Sequence, residues 1–214
     1  RTRILSLRHK GLVNLELIGD FLDDLVGRFG PLKSIVYVAG VQSIKSIKFI
    51  SVEECKNQFD VNYFSPLFFA KAFAKKNVHS EHSSLVFISS LASKKPETAI
   101  LNYAASKAAL DNLCIGLSRE IKPIRVNAVS PSFLETKMTA AFPKVYTKEH
   151  VENINNSYPV YFLHCSGNQP YSRHRGCNRI EQDLSPQKRD HLLFHRVFQN
   201  IHPHLLCYKN CLGP

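Results

Sequence analysis

Apolar positions along this chain follow two alternating rhythms. Leu15, Ile18, Leu22, Leu25 and Phe29 recur every three or four residues, with Asp20, Asp23, Asp24 and Arg28 between them. That spacing predicts an amphipathic helix beginning near Asn14 and stopped by Gly30-Pro31. Ser34 to Val38 (SIVYV) is a continuous β-branched and aromatic run, the signature of a strand buried on both faces. It runs out at Ala39-Gly40, small residues that let another group approach the backbone. Ser51-Val52-Glu53-Glu54 has the form of a capping box and opens a helical stretch reaching about Lys76, which Pro66 should kink or break. A second strand is predicted at Ser84 to Ser90 (SLVFISS), followed by a polar loop from Ala92 to Glu97. A helix from Tyr103 to Glu120 and a third strand from Ile124 to Ser130 (IRVNAVS), ended by Pro131, complete the readable part.

Strands alternating with long helical segments imply crossover connections, hence an α/β fold: a parallel sheet with helices on both faces. At 214 residues the chain holds one full-sized domain, and 44% apolar with 21% charged residues excludes wholesale disorder. No apolar run approaches the roughly 20 residues a membrane-spanning helix needs, so no membrane partner is expected. The opening Arg1-Thr2-Arg3 has no charged-apolar-small leader, and six cysteines without one point to a reducing, cytoplasmic setting. The net charge of +11 sits largely at the two ends: Arg1, Arg3, Arg8 and Lys10 at one, the segment after residue 160 at the other. A basic stripe on the folded core, and with it a specific nucleic-acid partner, is therefore not expected.

The chemistry is concentrated in Tyr103-Ala104-Ala105-Ser106-Lys107. Four positions on a helix put phenol and ammonium on one face, where the cation favours the phenolate and lowers the tyrosine from about 10 toward working pH. Such a tyrosine gives a proton to a carbonyl oxygen or takes one from an alcohol. Ser90, at the end of the preceding strand, lies where parallel sheets bind ligands and is placed to hold the same oxygen. Asn62, midway along the long helix, is placed to anchor a water or a backbone carbonyl near the lysine.

The order ISSLAS, then YAASK thirteen residues after Ser90, then RVNAVSPSFLET resembles the short-chain dehydrogenase/reductase family. Val38-Ala39-Gly40 looks like that family's N-N-A-G turn, and Val61-Asn62 like its helix asparagine. The run from Pro131 to Thr139 is similar to the 3-oxoacyl-carrier-protein reductase branch. The resemblance implies a Rossmann fold, NAD or NADP as cofactor with NADP favoured, and hydride exchange with a small-molecule carbonyl or alcohol, a 3-oxoacyl thioester among the substrates. It further implies that Tyr103 is the general acid/base, Lys107 its modulator and a ribose ligand, Ser90 the polariser of the substrate oxygen and Asn62 the end of a proton relay. Val38, Ala39 and Gly40 would then border the adenosine half of the cofactor, and Pro131, Ser132, Leu134 and Thr136 its nicotinamide end. The full-length family form would be a homo-oligomer.

The departures are as specific as the matches. Nothing before Gly30 reads G-x-x-x-G-x-G, so the first β-α units and their pyrophosphate turn are missing, giving an incomplete Rossmann fold. Gly11 or Leu12 stands where the family has an aspartate near the adenine, and Ser132 replaces a glycine. Residues 1–11 read as a non-family leader, residues 12–160 as the partial domain, and residues 161–214 as an irregular basic tail without the last strand. The tail's sudden wealth of His, Cys and Arg has the look of a reading-frame shift. Its other readings are a zinc site built from His164, Cys165, His174, Cys177, Cys207 and Cys211, or a nucleic-acid or partner-binding arm. Removing β-α units exposes apolar sheet surface, so poor folding or association through an open sheet edge is expected of the chain alone. An alternative to the enzyme follows, a catalytically inactive remnant or partner-binding protein.

Overall fold

The computed structural model describes residues 14–131, 133, 136–157 and 161–164. All of them belong to a compact unit spanning Arg8–Tyr171. Helix α1 (Leu17–Phe29) buries Ile18, Leu22 and Leu25 and ends where the sequence predicts. Gly30 adopts φ 78° and returns its N–H to the Val26 carbonyl at 2.8 Å, a left-handed stop that favours glycine. Strand β1 (Leu32–Tyr37) follows directly.

Helix α2 (Val52–Phe59) opens on the predicted capping box: the Ser51 hydroxyl accepts from the Glu54 N–H, and the Glu54 carboxylate accepts from the Ser51 N–H. The break expected at Pro66 takes a particular form. A π-helical turn (Asp60–Phe64) separates α2 from helix α3 (Ser65–Phe73), whose first turn holds the proline. Pro66 has no N–H for the Asn62 carbonyl, and its ring would collide with that carbonyl in a regular α-helix; a wider turn relieves both problems. The turn is held by Tyr37, whose buried phenol donates to the Val61 carbonyl at 2.7 Å.

Strand β2 (His79–Ile88) begins earlier than its apolar run because residues before Ser84 bulge away and rejoin β1 at Leu32. Helix α4 (Leu101–Glu120) and strand β3 (Arg125–Ser130) complete two crossovers. The sheet order is β1-β2-β3 with both pairs parallel, as expected. Two right-handed crossovers taken in the same direction place their helices on one face of the sheet, where α3 and α4 touch. That face packs Tyr37, Leu85, Phe87, Val126 and Ala128 against Phe69, Phe73, Leu110 and Cys114. Neither described crossover contributes a helix to the opposite face, since a second layer needs a strand order that reverses direction.

Beyond β3, short helices α5 (Lys137–Ala140) and α6 (Lys148–Ser157) precede strand β4 (Tyr161–His164). Strand β4 corrects the expectation of an irregular chain from residue 161 and no further strand: it pairs antiparallel with β3, Ser130 opposite Tyr161 and Asn127 opposite His164. Four residues are too few for a periodic signal, but their backbone pairs the open edge of β3. The other residues considered for zinc, Cys165, His174, Cys177, Cys207 and Cys211, lie outside the described residues, as do Ser132 and Leu134. Among the described residues no helix is long and apolar enough to cross a membrane.

Candidate active site

Two amide cross-links fix the start of α4 against the helix before it. Asn102 donates to the Gln58 side-chain oxygen, and one turn further along both helices Asn62 Nδ2 donates to Ser106 Oγ at 3.0 Å. Gln58, Asn62 and Ser106 are all buried. Polar pairs withdrawn from water tolerate little misalignment, so they set the register in which α4 presents Tyr103 and Lys107.

Asn62 also clamps the loop after β1. Its Nδ2 donates to the Val41 carbonyl at 2.9 Å, and its Oδ1 accepts the Val41 N–H at 2.9 Å. Both side-chain donors of Asn62 are therefore used within the protein. Gly40, next in that loop, lies over the lysine: a Cβ placed on it would stand 3.4 Å from Lys107 Nζ and 3.5 Å from Asn62 Oδ1. A bare backbone there leaves a cradle above the ammonium.

Lys107 is 3% exposed and donates to the Ile88 carbonyl at the end of β2 at 2.8 Å. Burial draws it down from 10.5 to about 8, against an upward pull from Asp111. Tyr103, also buried, has its ring centroid 5.8 Å from Lys107 Nζ. Here the structure reverses an expectation: burial pushes the phenol up to about 12 instead of lowering it. The Ser90 hydroxyl pulls it back by hydrogen bonding, and the nearby Tyr146 phenol pushes it further up. Desolvation of the buried phenol outweighs the pull of the neighbouring cation.

Ser90 caps a 3-10 turn (Leu91–Ser93), its Oγ accepting the Ala92 N–H at 3.2 Å. The turn is tied to the end of β3 through the Leu91 N–H, which donates to the Pro131 carbonyl at 3.0 Å. Tyr103, Lys107, Ser90, Asn62 and Gly40 thus converge at one end of the parallel sheet. Ala39 is half-buried beside Gly40, whereas Val38 is 44% exposed. Thr136 stands further along as the N-cap of α5, its hydroxyl accepting the Thr139 N–H at 3.3 Å and so occupied by the helix end.

Three residues escaped the sequence reading. Ser106 joins Asn62 to the Tyr103 carbonyl, to which its hydroxyl donates at 2.7 Å. Gln42 and Tyr146 meet across the mouth, Gln42 Nε2 donating to the phenol at 3.0 Å, with Tyr146 packed 5.0 Å from the Phe133 ring. The first had a local signal in its one-turn offset from Tyr103. The pair, more than a hundred residues apart, had none.

A one-directional parallel sheet, with a buried Tyr-Lys pair and a serine at its carboxyl edge, defines a class of α/β oxidoreductases. The chain belongs to the short chain dehydrogenase family, whose model matches residues 13–146. Among its curated relatives, 3-oxoacyl-[acyl-carrier-protein] reductase of Escherichia coli is 29% identical over 126 residues, covering 58% of this chain and 52% of that protein. The 2,3-dihydro-2,3-dihydroxybenzoate dehydrogenase of Bacillus subtilis is 33% identical over 123 residues, covering 55% and 47%. A short chain dehydrogenase from Burkholderia cenocepacia, solved in complex with NADP, superposes with a TM-score of 0.56 at 27% identity over 59% of this chain and 52% of that one. The chain spans about half the length of the curated relatives it matches.

Proposed function

We propose that this chain carries the proton-transfer machinery of a nicotinamide-dependent reductase or dehydrogenase acting on a small carbonyl or alcohol, in a cytoplasmic setting. The observation that carries the reading is the convergence of Ser90, Tyr103 and Lys107 at the end of β2, backed by Asn62. Tyr103 gives the proton at its phenolic oxygen to a carbonyl during reduction and takes one from an alcohol during oxidation. Ser90 hydrogen-bonds the same substrate oxygen. Lys107, cationic below about pH 8, stabilises the phenolate that proton donation leaves behind.

The cradle over Gly40 and the ammonium beneath it fit a cofactor ribose beside the nicotinamide, which moves Gly40 away from the adenosine half where the resemblance put it. Tyr103 and Lys107 would hold that ribose, Val38 and Ala39 would border the adenosine half, and Pro131 and Thr136 the nicotinamide end. When bound, NADP or NAD supplies or accepts the hydride. NADP is preferred, which the Burkholderia neighbour solved with NADP supports. A 3-oxoacyl thioester is the finer substrate reading, supported by the Escherichia coli relative.

Calorimetric titration of the chain with NADPH and then NADH tests the reading. Micromolar binding is expected; no heat from a folded sample overturns it. Where turnover of a carbonyl substrate is measured, Tyr103→Phe should lower it by about 10²- to 10⁴-fold, and undiminished turnover would remove the phenol from the reaction.

One further observation favours self-association. A groove of about 660 Å³ runs between α3 and α4, lined by Leu67, Phe68, Leu113 and Leu117 with Lys71 and Glu120 at its rim. A second copy of the chain is its proposed occupant, in line with the homo-oligomer the family implies. Phe68→Glu should then shift the sedimentation coefficient to that of a monomer.

A further inference from the structure

Asp111 is the one carboxylate in the core among the described residues, 2% exposed, one helical turn beyond Lys107 on the inner face of α4. A carboxylate withdrawn from water needs cations and donors around it to remain charged. Two come from the turn that Ser90 caps: Ser93 Oγ donates to Asp111 Oδ2 at 2.6 Å, and Lys94 Nζ lies 3.1 Å from the same oxygen. The turn is tied together internally, the Ser93 N–H donating to the Ser90 carbonyl and the Lys94 N–H to the Leu91 carbonyl. Asp111 Oδ1 makes no hydrogen bond among the described residues. On α4 itself, Tyr103, Lys107 and Asp111 follow one another at four-residue intervals, so the carboxylate lies on the side of the lysine away from the phenol.

We infer that Asp111 is a positioning residue: it ties the Ser90 turn to α4 and sets a carboxylate one helical turn from the Lys107 ammonium, holding serine, tyrosine and lysine in one working arrangement. This rests on the roles proposed above for those three residues. A second cation from the surface, Lys94, shares the carboxylate and tempers its pull on Lys107. The groups facing Lys107 are Tyr103 and Asp111 from its own helix, the Ile88 carbonyl from β2, and Asn62 from the π turn across Gly40. Of these, Asp111 supplies the only carboxylate. A clamp between a loop and a helix would need Ser93 and any acceptor; it would not need the charge.

The test separates charge from clamp and does not depend on turnover. In the full chain labelled with [¹³C,¹⁵N]-lysine, the Lys107 signal is assigned by its loss in Lys107→Arg and titrated by NMR. Asp111→Asn keeps an acceptor for Ser93 but removes the charge, and should lower the Lys107 midpoint by about one pH unit. Ser93→Ala removes the clamp and keeps the charge, and should leave the midpoint within a few tenths of a unit. Lys94→Met, at a half-exposed side chain, removes the second cation and keeps the Ser93 bond to Asp111, and should raise it, so the inference stays testable even where Asp111→Asn does not fold. An unmoved midpoint in Asp111→Asn, or in Lys94→Met where the first variant is unfolded, overturns the inference. A shifted midpoint in a chain that binds neither NADPH nor NADH supports the linkage of Asp111 to Lys107 and overturns the proposed function alone.

Discussion

The two faces of α4 invert the usual arrangement of a helix. The inner face buries Tyr103, Ser106, Lys107 and Asp111 alongside Leu110 and Cys114. The outer face, together with α3, leaves Leu113 and Phe68 partly open around the groove. Propensity and the hydrophobic effect alone would place these sets the other way round. Polar groups stay in the core only where each finds partners, as Ser106 does in Asn62 and the Tyr103 carbonyl, and Lys107 in the Ile88 carbonyl. Apolar groups left in a groove mark a surface that something covers. The inner face thus carries the candidate site and the outer face the groove, and each breaks differently under mutation.

The largest expected effect falls on packing. Leu110 is fully buried between α4 and the sheet, so Leu110→Ala should lower stability by about 2–5 kcal/mol through lost burial and a residual cavity. Leu113→Ala, facing the groove, should lower it by roughly 1 kcal/mol or less in the monomer. Urea denaturation of both variants at low concentration measures the contrast, and equal losses would mean that the two faces are equally packed.

Next comes the buried ammonium. Below about pH 8 Lys107 is charged in both the folded and the unfolded chain, and the folded chain bears its desolvation. Between about 8 and 10.5 the folded chain releases the proton first, so stability rises with pH across that window. The full gain is about 3 kcal/mol, at about 1.4 kcal/mol for each pH unit. Lys107→Met should lack this rise, so its stability relative to wild type should fall by about 3 kcal/mol between pH 7.5 and 10.5, read by urea denaturation at the two pH values. An unchanged difference would mean that Lys107 does not carry the rise. Tyr103 has the opposite sign: the unfolded phenol ionises near 10 and the folded one near 12, so stability falls above pH 10.

How much of this was legible in the sequence follows the range of the interactions involved. The helix stop at Gly30, the capping box at Ser51 and the three parallel strands depend on neighbours within a turn or on side-chain pattern, and they were read directly. The order of motifs also brought Ser90, Tyr103 and Lys107 together. The π turn was legible only as a break at Pro66, because nothing local distinguishes a wide turn from a kink. The raised phenol, the short β4 pairing with β3, and the Gln42–Tyr146 bond depend on burial or on partners far along the chain. No pattern in one segment carries them. Asp111 lies between these cases: an acid one turn past the lysine is visible in YAASKAALD, but its burial is not.

A third and smaller effect tests the clamp behind the inner face. Asn62→Ala leaves the Val41 N–H and carbonyl and the Ser106 hydroxyl to find new partners, which should cost about 2 kcal/mol. Hydrogen exchange read by mass spectrometry should show the greatest loss of protection in residues 39–42. A loss spread evenly over the domain would mean that Asn62 supports the core and not this loop.

The smallest effect on the fold should have a large effect on the site. Gly40 does not adopt a left-handed φ, and a methyl there meets Lys107 Nζ and Asn62 Oδ1 at 3.4 and 3.5 Å, which are ordinary contacts. Gly40→Ala should therefore change stability by no more than about 0.5 kcal/mol. Yet the methyl fills the cradle above the ammonium, so NADPH binding should weaken by at least about tenfold, or roughly 1.4 kcal/mol. Urea denaturation and calorimetric titration of the same preparation read the two effects side by side. Unchanged binding in a folded Gly40→Ala chain would show that the nucleotide does not cross this loop, and would leave the buried inner face of α4 without the ligand that accounts for it.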